Sequence, residues 1–176
     1  MPRCVAFLRA VNVGGRTVKM DALRAAFEAL PLTNVETFIA SGNVIFDSRA
    51  RDAAALERRI ETQLLDAFGL EIDTFVRTLD EVALVAVHPI LQATATTQVV
   101  GFLRSAPGPQ ALQTVAAMST DVDRLAVHGR ELFWLSSNRQ SDSVFSNAAF
   151  ERALKMRSTF RGVGTLRKLV AKFTPA

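Results

Sequence analysis

The chain has one cysteine (Cys4), one tryptophan, two histidines and no tyrosine among its 176 residues. A lone thiol closes no internal disulfide, so a disulfide scaffold is excluded and the fold suits a reducing compartment. The two histidines, His88 before Pro89 and His128 before Gly129, have no Cys or His partner at metal-ligand spacing, which excludes a structural zinc site. No apolar run approaches the roughly 18 residues that span a bilayer. Met1-Pro2-Arg3-Cys4 leads into a strand pattern rather than a signal peptide, so the expectation is a cytoplasmic protein with no membrane partner. Walker A, G-x-G-x-x-G and G-x-S-x-G sequences are also missing, which argues against the common nucleotide folds and a serine hydrolase.

What is present suits a packed core. The chain is 49% hydrophobic and 22% charged, with 12 Phe, and a chain of this length buries roughly 70% of its unfolded surface. Its isoelectric point near 10.0 suggests a polyanion partner until the charges are placed. Residues 1–150 carry 14 basic and 16 acidic residues, whereas 151–176 carry seven basic residues (Arg152, Lys155, Arg157, Arg161, Arg167, Lys168, Lys172) against Glu151 alone. The body is near neutral and the basic charge is C-terminal, either a solvated helix face or an anion-binding one.

Along the first half, Val5-Ala6-Phe7-Leu8 reads as a central strand, and Leu23, Phe27 and Leu30 recur at helical spacing before Pro31. Thr37–Ile39 and Val44–Phe46 flank the polar turn Ala40-Ser41-Gly42-Asn43 as a hairpin. Leu56, Ile60, Leu64 and Phe68 make a second helix ending at Gly69, and a strand follows over 72–77. This β-α-β-β-α-β order is the ferredoxin-like arrangement. From Thr78 the pattern restarts: a helix before Pro89, a strand over 97–103, a helix after Pro109, and a hairpin turning at His128-Gly129-Arg130. Helices over 144–154 and 165–173 follow, so the second half reads as β-α-β-β-α with an extra helix and no evident residue-level repeat. The fold class is α+β: two tandem ferredoxin-like (α-β plait) subdomains with antiparallel sheets, over 1–78 and 79–176.

This topology brings the loop after the first strand and the Ser41-Gly42-Asn43 turn to one end of the sheet, joined there by the turn near Gly69. The candidate ligand-binding residues are Arg9, Asn12, Gly14, Gly15, Lys19, Ser41, Gly42 and Asn43, with Arg16 beside them. They supply cations, amide donors and glycine-turn N–H groups near a helix start, a setting that holds phosphate or carboxylate. No base or nucleophile accompanies them. The competing structural reading is that Asn12 closes an Asx-turn, the glycines supply positive φ, and Ser41 and Asn43 tie the turns together. Cys4 reads as a core residue, the histidines as turn or capping residues, and Asp47 and Asp52 as a strand end and a helix start.

Three ordered stretches, 6–15 (Ala-Phe-Leu-Arg-Ala-Val-Asn-Val-Gly-Gly), 19–24 (Lys-Met-Asp-Ala-Leu-Arg) and 39–46 (Ile-Ala-Ser-Gly-Asn-Val-Ile-Phe), resemble the signatures of domain-of-unknown-function family 1697. The resemblance extends through 126–131 to Asn147, Glu151, Arg161, Thr165, Lys168 and Leu169. It implies two tandem plait subdomains and no established activity. The chain departs from the family pattern late: Ser143-Val144-Phe145 stands where relatives carry Ser-Lys-Leu, and Gly162-Val163-Gly164 where they carry an Asn-Trp-Asn-like stretch.

Three functions compete. The first is a non-catalytic binding module for an anionic ligand, either a small molecule or nucleic acid, with no cofactor. Sheet-face RNA recognition lacks its RNP-type run. The second is an enzyme acting on a small phosphorylated or carboxylated metabolite, using Arg9 and Lys19 electrostatically. The third is a structural or interaction domain, including a homodimer.

Overall fold

The computed structural model describes residues 1–12, 15, 17–39 and 42–176. They divide into two compact units, Met1–Val82 with Phe173–Ala176, and Ala83–Lys172. The first contains β1 (Arg3–Leu8), α1 (Met20–Glu28), β2 (Thr33–Thr37), β3 (Asn43–Asp47), α2 (Ala53–Phe68) and β4 (Thr74–Thr78). Its sheet has the order β2-β3-β1-β4 with every pairing antiparallel, the expected ferredoxin-like pattern.

Local chemistry sets these boundaries. The Asp52 carboxylate accepts the Ala55 N–H at 3.1 Å to cap α2, and Gly69, at φ +64°, ends it by donating to Leu65 O at 2.7 Å. Leu23 and Phe27 from α1 and Ile60 and Leu64 from α2 pack on Cys4, Ala6, Leu8 and Phe46. Burying each Leu, Ile or Phe contributes about 1.5–3 kcal/mol. The alternate residues Val5, Phe7, Ile45 and Phe75 are equally buried, so both faces of this sheet are covered, as the continuous apolar run in β1 requires.

The first strand of the hairpin lies earlier than its apolar residues suggest. It covers Thr33–Thr37, not 37–39, and only Val35 in it is buried. Ile39 instead has φ +58° and is half exposed. At this sheet edge polar residues do the pairing: Asn34, at φ +51° in a register shift, donates from Nδ2 to Asp47 Oδ2 at 2.7 Å. Arg3 bridges Glu36 (2.9 Å) and Asp47 (3.2 Å). The opposite edge, β4, is closed by α2, whose Glu61 and Glu57 accept the N–H groups of Thr74 and Val76 at 2.9 and 2.8 Å. An outward row of donors is thereby satisfied within the unit.

A capping box between Thr78 and Glu81 opens α3 (Leu79–Ala86), in which the two units part. After a 3-10 turn at Pro89–Gln92 come β5 (Thr97–Leu103), α4 (Pro109–Ala117), β6 (Asp123–His128), β7 (Glu131–Ser136), α5 (Asn147–Leu154), β8 (Ser158–Gly162) and α6 (Val163–Phe173). The second sheet has the order β6-β7-β5-β8, again antiparallel. Trp134, Phe150, Leu132 and Leu154 centre its core, and Trp134 Nε1 donates to the buried Asp123 carboxylate at 2.8 Å.

Two expectations about this half are corrected. The second unit has a fourth strand, β8, and so repeats the whole β-α-β-β-α-β order. β8 is hard to read because Ser158, Thr159 and Arg161 are buried polar residues satisfied internally: Arg161 Nη1 donates to Thr159 Oγ1 (2.8 Å) and Phe160 O (2.9 Å). Burial lowers the Arg161 guanidinium to a pKa of about 10. The basic C-terminal residues are therefore spread over α5 (Arg152), the connection after it (Lys155, Arg157), β8 (Arg161) and α6 (Arg167, Lys168, Lys172) rather than lying on one helical face. In addition, α5 starts at Asn147, not 144, because the Ser146 hydroxyl accepts from Ala149 N at 3.2 Å, while Val144 is 87% exposed.

Strand register reveals the repeat that the linear sequence hides. Val5 pairs with Arg77 and Phe7 with Asn43; Val100 pairs with Arg161 and Phe102 with Glu131. These pairings align Val5-Ala6-Phe7-Leu8-Arg9-Ala10 with Val100-Gly101-Phe102-Leu103-Arg104-Ser105. They also match Arg77 to Arg161, both buried on the fourth strand. Glu61 capping Thr74 then corresponds to Glu151, which accepts from Ser158 N at 3.0 Å.

Candidate functional site

Leu8 N, at the end of β1, donates to Gly42 O at 2.8 Å, and Arg9 N donates to Asp73 O at 2.9 Å. Three segments thus meet at this end of the first sheet: the β1–α1 loop, the β2–β3 turn and the α2–β4 connection. Gly42 has φ +82°, and a Cβ there would lie 3.0 Å from Val11 Cγ2 and 3.2 Å from Leu8 Cβ. Glycine is required for both conformation and room. Val11, buried in the loop, is the surface against which the turn closes.

Within this frame the candidate residues divide by exposure. Asn43 is fully buried; its Nδ2 donates to Phe38 O at 2.9 Å and its own carbonyl accepts from Phe38 N at 3.0 Å, closing the hairpin. Asn12 is exposed, and its Oδ1 accepts from Val18 N at 3.0 Å, folding the loop back toward α1. Gly15, at φ +80°, is exposed with open space where a Cβ would stand. Arg9 is half-buried, and Lys19 is exposed at the start of α1, where its side chain makes no capping hydrogen bond. Gly14, Ser41 and the neighbouring Arg16 lie outside the described residues.

Other residues singled out by chemistry have structural partners. Burial, with Glu81 and Asp47 nearby, pushes the Cys4 thiol up to about 11, so it is protonated and inert at neutral pH. Asp47 and Asp52 hold a strand end and a helix start, as described above. In the second unit His88 Nδ1 accepts from Ile90 N at 3.3 Å, capping the 3-10 turn. Its ring lies 4.5 Å from that of His128 and 4.7 Å from Phe133. The two histidines are far apart in sequence, and only the fold of hairpin and linker brings them together. Desolvation and then His128 lower the His88 pKa.

Among the described residues no helix is long and apolar enough to cross a membrane. The fold is similar to that of the conserved bacterial protein SP0830 from Streptococcus pneumoniae, with a TM-score of 0.78 at 23% identity over 99% of both chains. No curated protein matches the chain. The family model described as "Protein of unknown function (DUF1697)" matches residues 1–133, which include every candidate site residue and end before the two stretches that depart from the family pattern. The chain belongs to that family.

Proposed function

We propose that the protein is a non-catalytic binding module that takes an anionic ligand at the β1 end of its first unit. In this reading Arg9 and Lys19 supply the charge and Gly15 a backbone N–H group, while Gly14 and Ser41, outside the described residues, belong to the site on the sequence pattern alone. Asn12, Gly42 and Asn43 hold the two loops in place around them. The observation that carries this reading is the start of α1: Lys19, at the cap position, makes no capping hydrogen bond with its side chain and stands exposed, and the loop leading to it begins at Arg9. The N–H groups at a helix start and the helix dipole favour an anion at that position.

Thermal shift with inorganic phosphate and pyrophosphate tests the site. A saturable rise in Tm that Arg9→Ala and Lys19→Ala each reduce supports it; no rise at low salt, or one indifferent to both substitutions, overturns it. Fluorescence anisotropy with single- and double-stranded oligonucleotides across a salt series separates the nucleic-acid form of the proposal. A nucleic-acid ligand gives a steep loss of affinity with salt, and absence of binding at low salt restricts the ligand to small anions.

A further inference from the structure

At the other end of the first sheet, beside the start of β1, lies a cavity of about 460 Å³, within the size range of small-molecule sites. Leu30, Pro31, Leu32 and Leu56 give it apolar walls, and Arg49 and Arg59 stand at its rim. It continues along α2, past Arg58 and Thr62, into a second hollow that shares Leu30 and Arg59. We propose that this groove binds an amphipathic anion: an aliphatic or aromatic body on the leucine and proline walls, with its carboxylate or sulfonate held by Arg49 and Arg59.

The charge balance around the groove supports that class of ligand. Arg49 and Arg59 are exposed and have no ion-pair partner among the described residues. The nearby carboxylates are engaged elsewhere. Asp47 is held by Arg3 and Asn34, Asp52 caps α2, and Glu57 and Glu61 face the N–H groups of β4. Glu28 pairs with Arg24 at 2.9 Å, and Glu36 with Arg3. Two guanidiniums without counter-charge therefore border an apolar hollow, where carboxylate recognition by a planar fork is favourable. The walls favour a hydrocarbon body over a sugar or inorganic phosphate, and the guanidiniums favour an anion over a neutral lipid.

Decanoate is a suitable probe below its micelle concentration, with decanol as the neutral control and decyltrimethylammonium as the cationic one. Nitrogen–proton NMR titration is expected to give saturable shifts centred on Leu30–Leu32 and Ser48–Arg59, strongest for decanoate. Arg49→Ala with Arg59→Ala is expected to weaken decanoate by about tenfold or more and to leave decanol little changed. Ala50→Trp, which puts an indole into the cavity without changing charge, is expected to abolish both. Since Arg49, Ala50 and Arg59 are exposed, unchanged dispersed spectra establish that each variant folds. The proposal is overturned by absence of saturable shifts up to about 1 mM, equal binding of decanoate and the cationic analogue, or decanoate binding that survives either variant.

Discussion

Glu57, buried within α2, accepts the backbone N–H of Val76 at 2.8 Å. This is a carboxylate spent on closing a sheet edge. Its removal leaves a buried donor without a partner, which costs about 1–3 kcal/mol, with a cavity term added.

Glu57→Ala is therefore expected to destabilise the protein by about 3 kcal/mol, and Glu57→Gln, which keeps a carbonyl acceptor at that reach, by clearly less. Urea denaturation followed by circular dichroism measures both. Equal losses for the two variants would mean that the hydrogen bond to Val76 is not what Glu57 contributes.

The two glycine turns of the candidate site separate geometry from packing. Gly42 and Gly15 share positive φ values of +82° and +80°, but only Gly42 is crowded, by Val11 and Leu8. Gly15→Ala is expected to cost about 1 kcal/mol from conformation alone, and Gly42→Ala about 2–3 kcal/mol. If the site reading is right, Gly42→Ala also weakens phosphate binding, because the turn can no longer seat on Val11. Melting temperatures and phosphate titrations of the two variants check both parts.

Ordinary periodicity made the first unit legible. Leu56, Ile60 and Leu64 mark a buried helix face, Gly69 marks its end, and the run from Cys4 to Leu8 marks a central strand. The meeting of the β1 loop with the β2–β3 turn also follows from element order alone, and Leu8 N bonded to Gly42 O realises it. Strands built from polar residues were not legible. β2 and β8 bury one large apolar side chain or none, and what keeps them in place is distant: Asp47 for Asn34, Glu151 for Ser158. Without β8 the second unit reads as a variant of the first rather than as a repeat. The Arg49–Arg59 groove was illegible for a related reason, since the absence of counter-charge depends on where Asp47, Glu57 and Glu61 point.

Within the matched runs Val5–Leu8 and Val100–Leu103 the two halves differ at one position, Ala6 in β1 and Gly101 in β5. A Cβ at Gly101 would stand 2.7 Å from Cε1 and 2.8 Å from Cζ of Phe160, the residue paired with it across the sheet. The ring occupies the place of the missing methyl. Gly101→Ala is expected to cost about 1–3 kcal/mol through overpacking. Gly101→Ala combined with Phe160→Leu is expected to be less unstable than the sum of the single changes. An additive double mutant would remove the direct contact as the cause.

Stability should fall on mild acidification, with His88 contributing. Its folded pKa lies below the 6.5 of the free side chain, through desolvation and then the neighbouring His128, so the unfolded chain takes up its proton first. Proton uptake by the unfolded state makes stability rise with pH across that window: the contribution is whole above 6.5 and is lost as pH falls from there toward the folded pKa. Geometry points the same way, since a proton on Nδ1 would face the Ile90 N–H that this atom now accepts. His88→Asn keeps a side-chain acceptor for Ile90 and removes the titration. Its urea midpoint is expected to vary less between pH 7.5 and 5.5 than that of the parent chain, with His128→Asn producing a smaller change in the same direction. An unchanged pH slope in His88→Asn would place the acid sensitivity elsewhere.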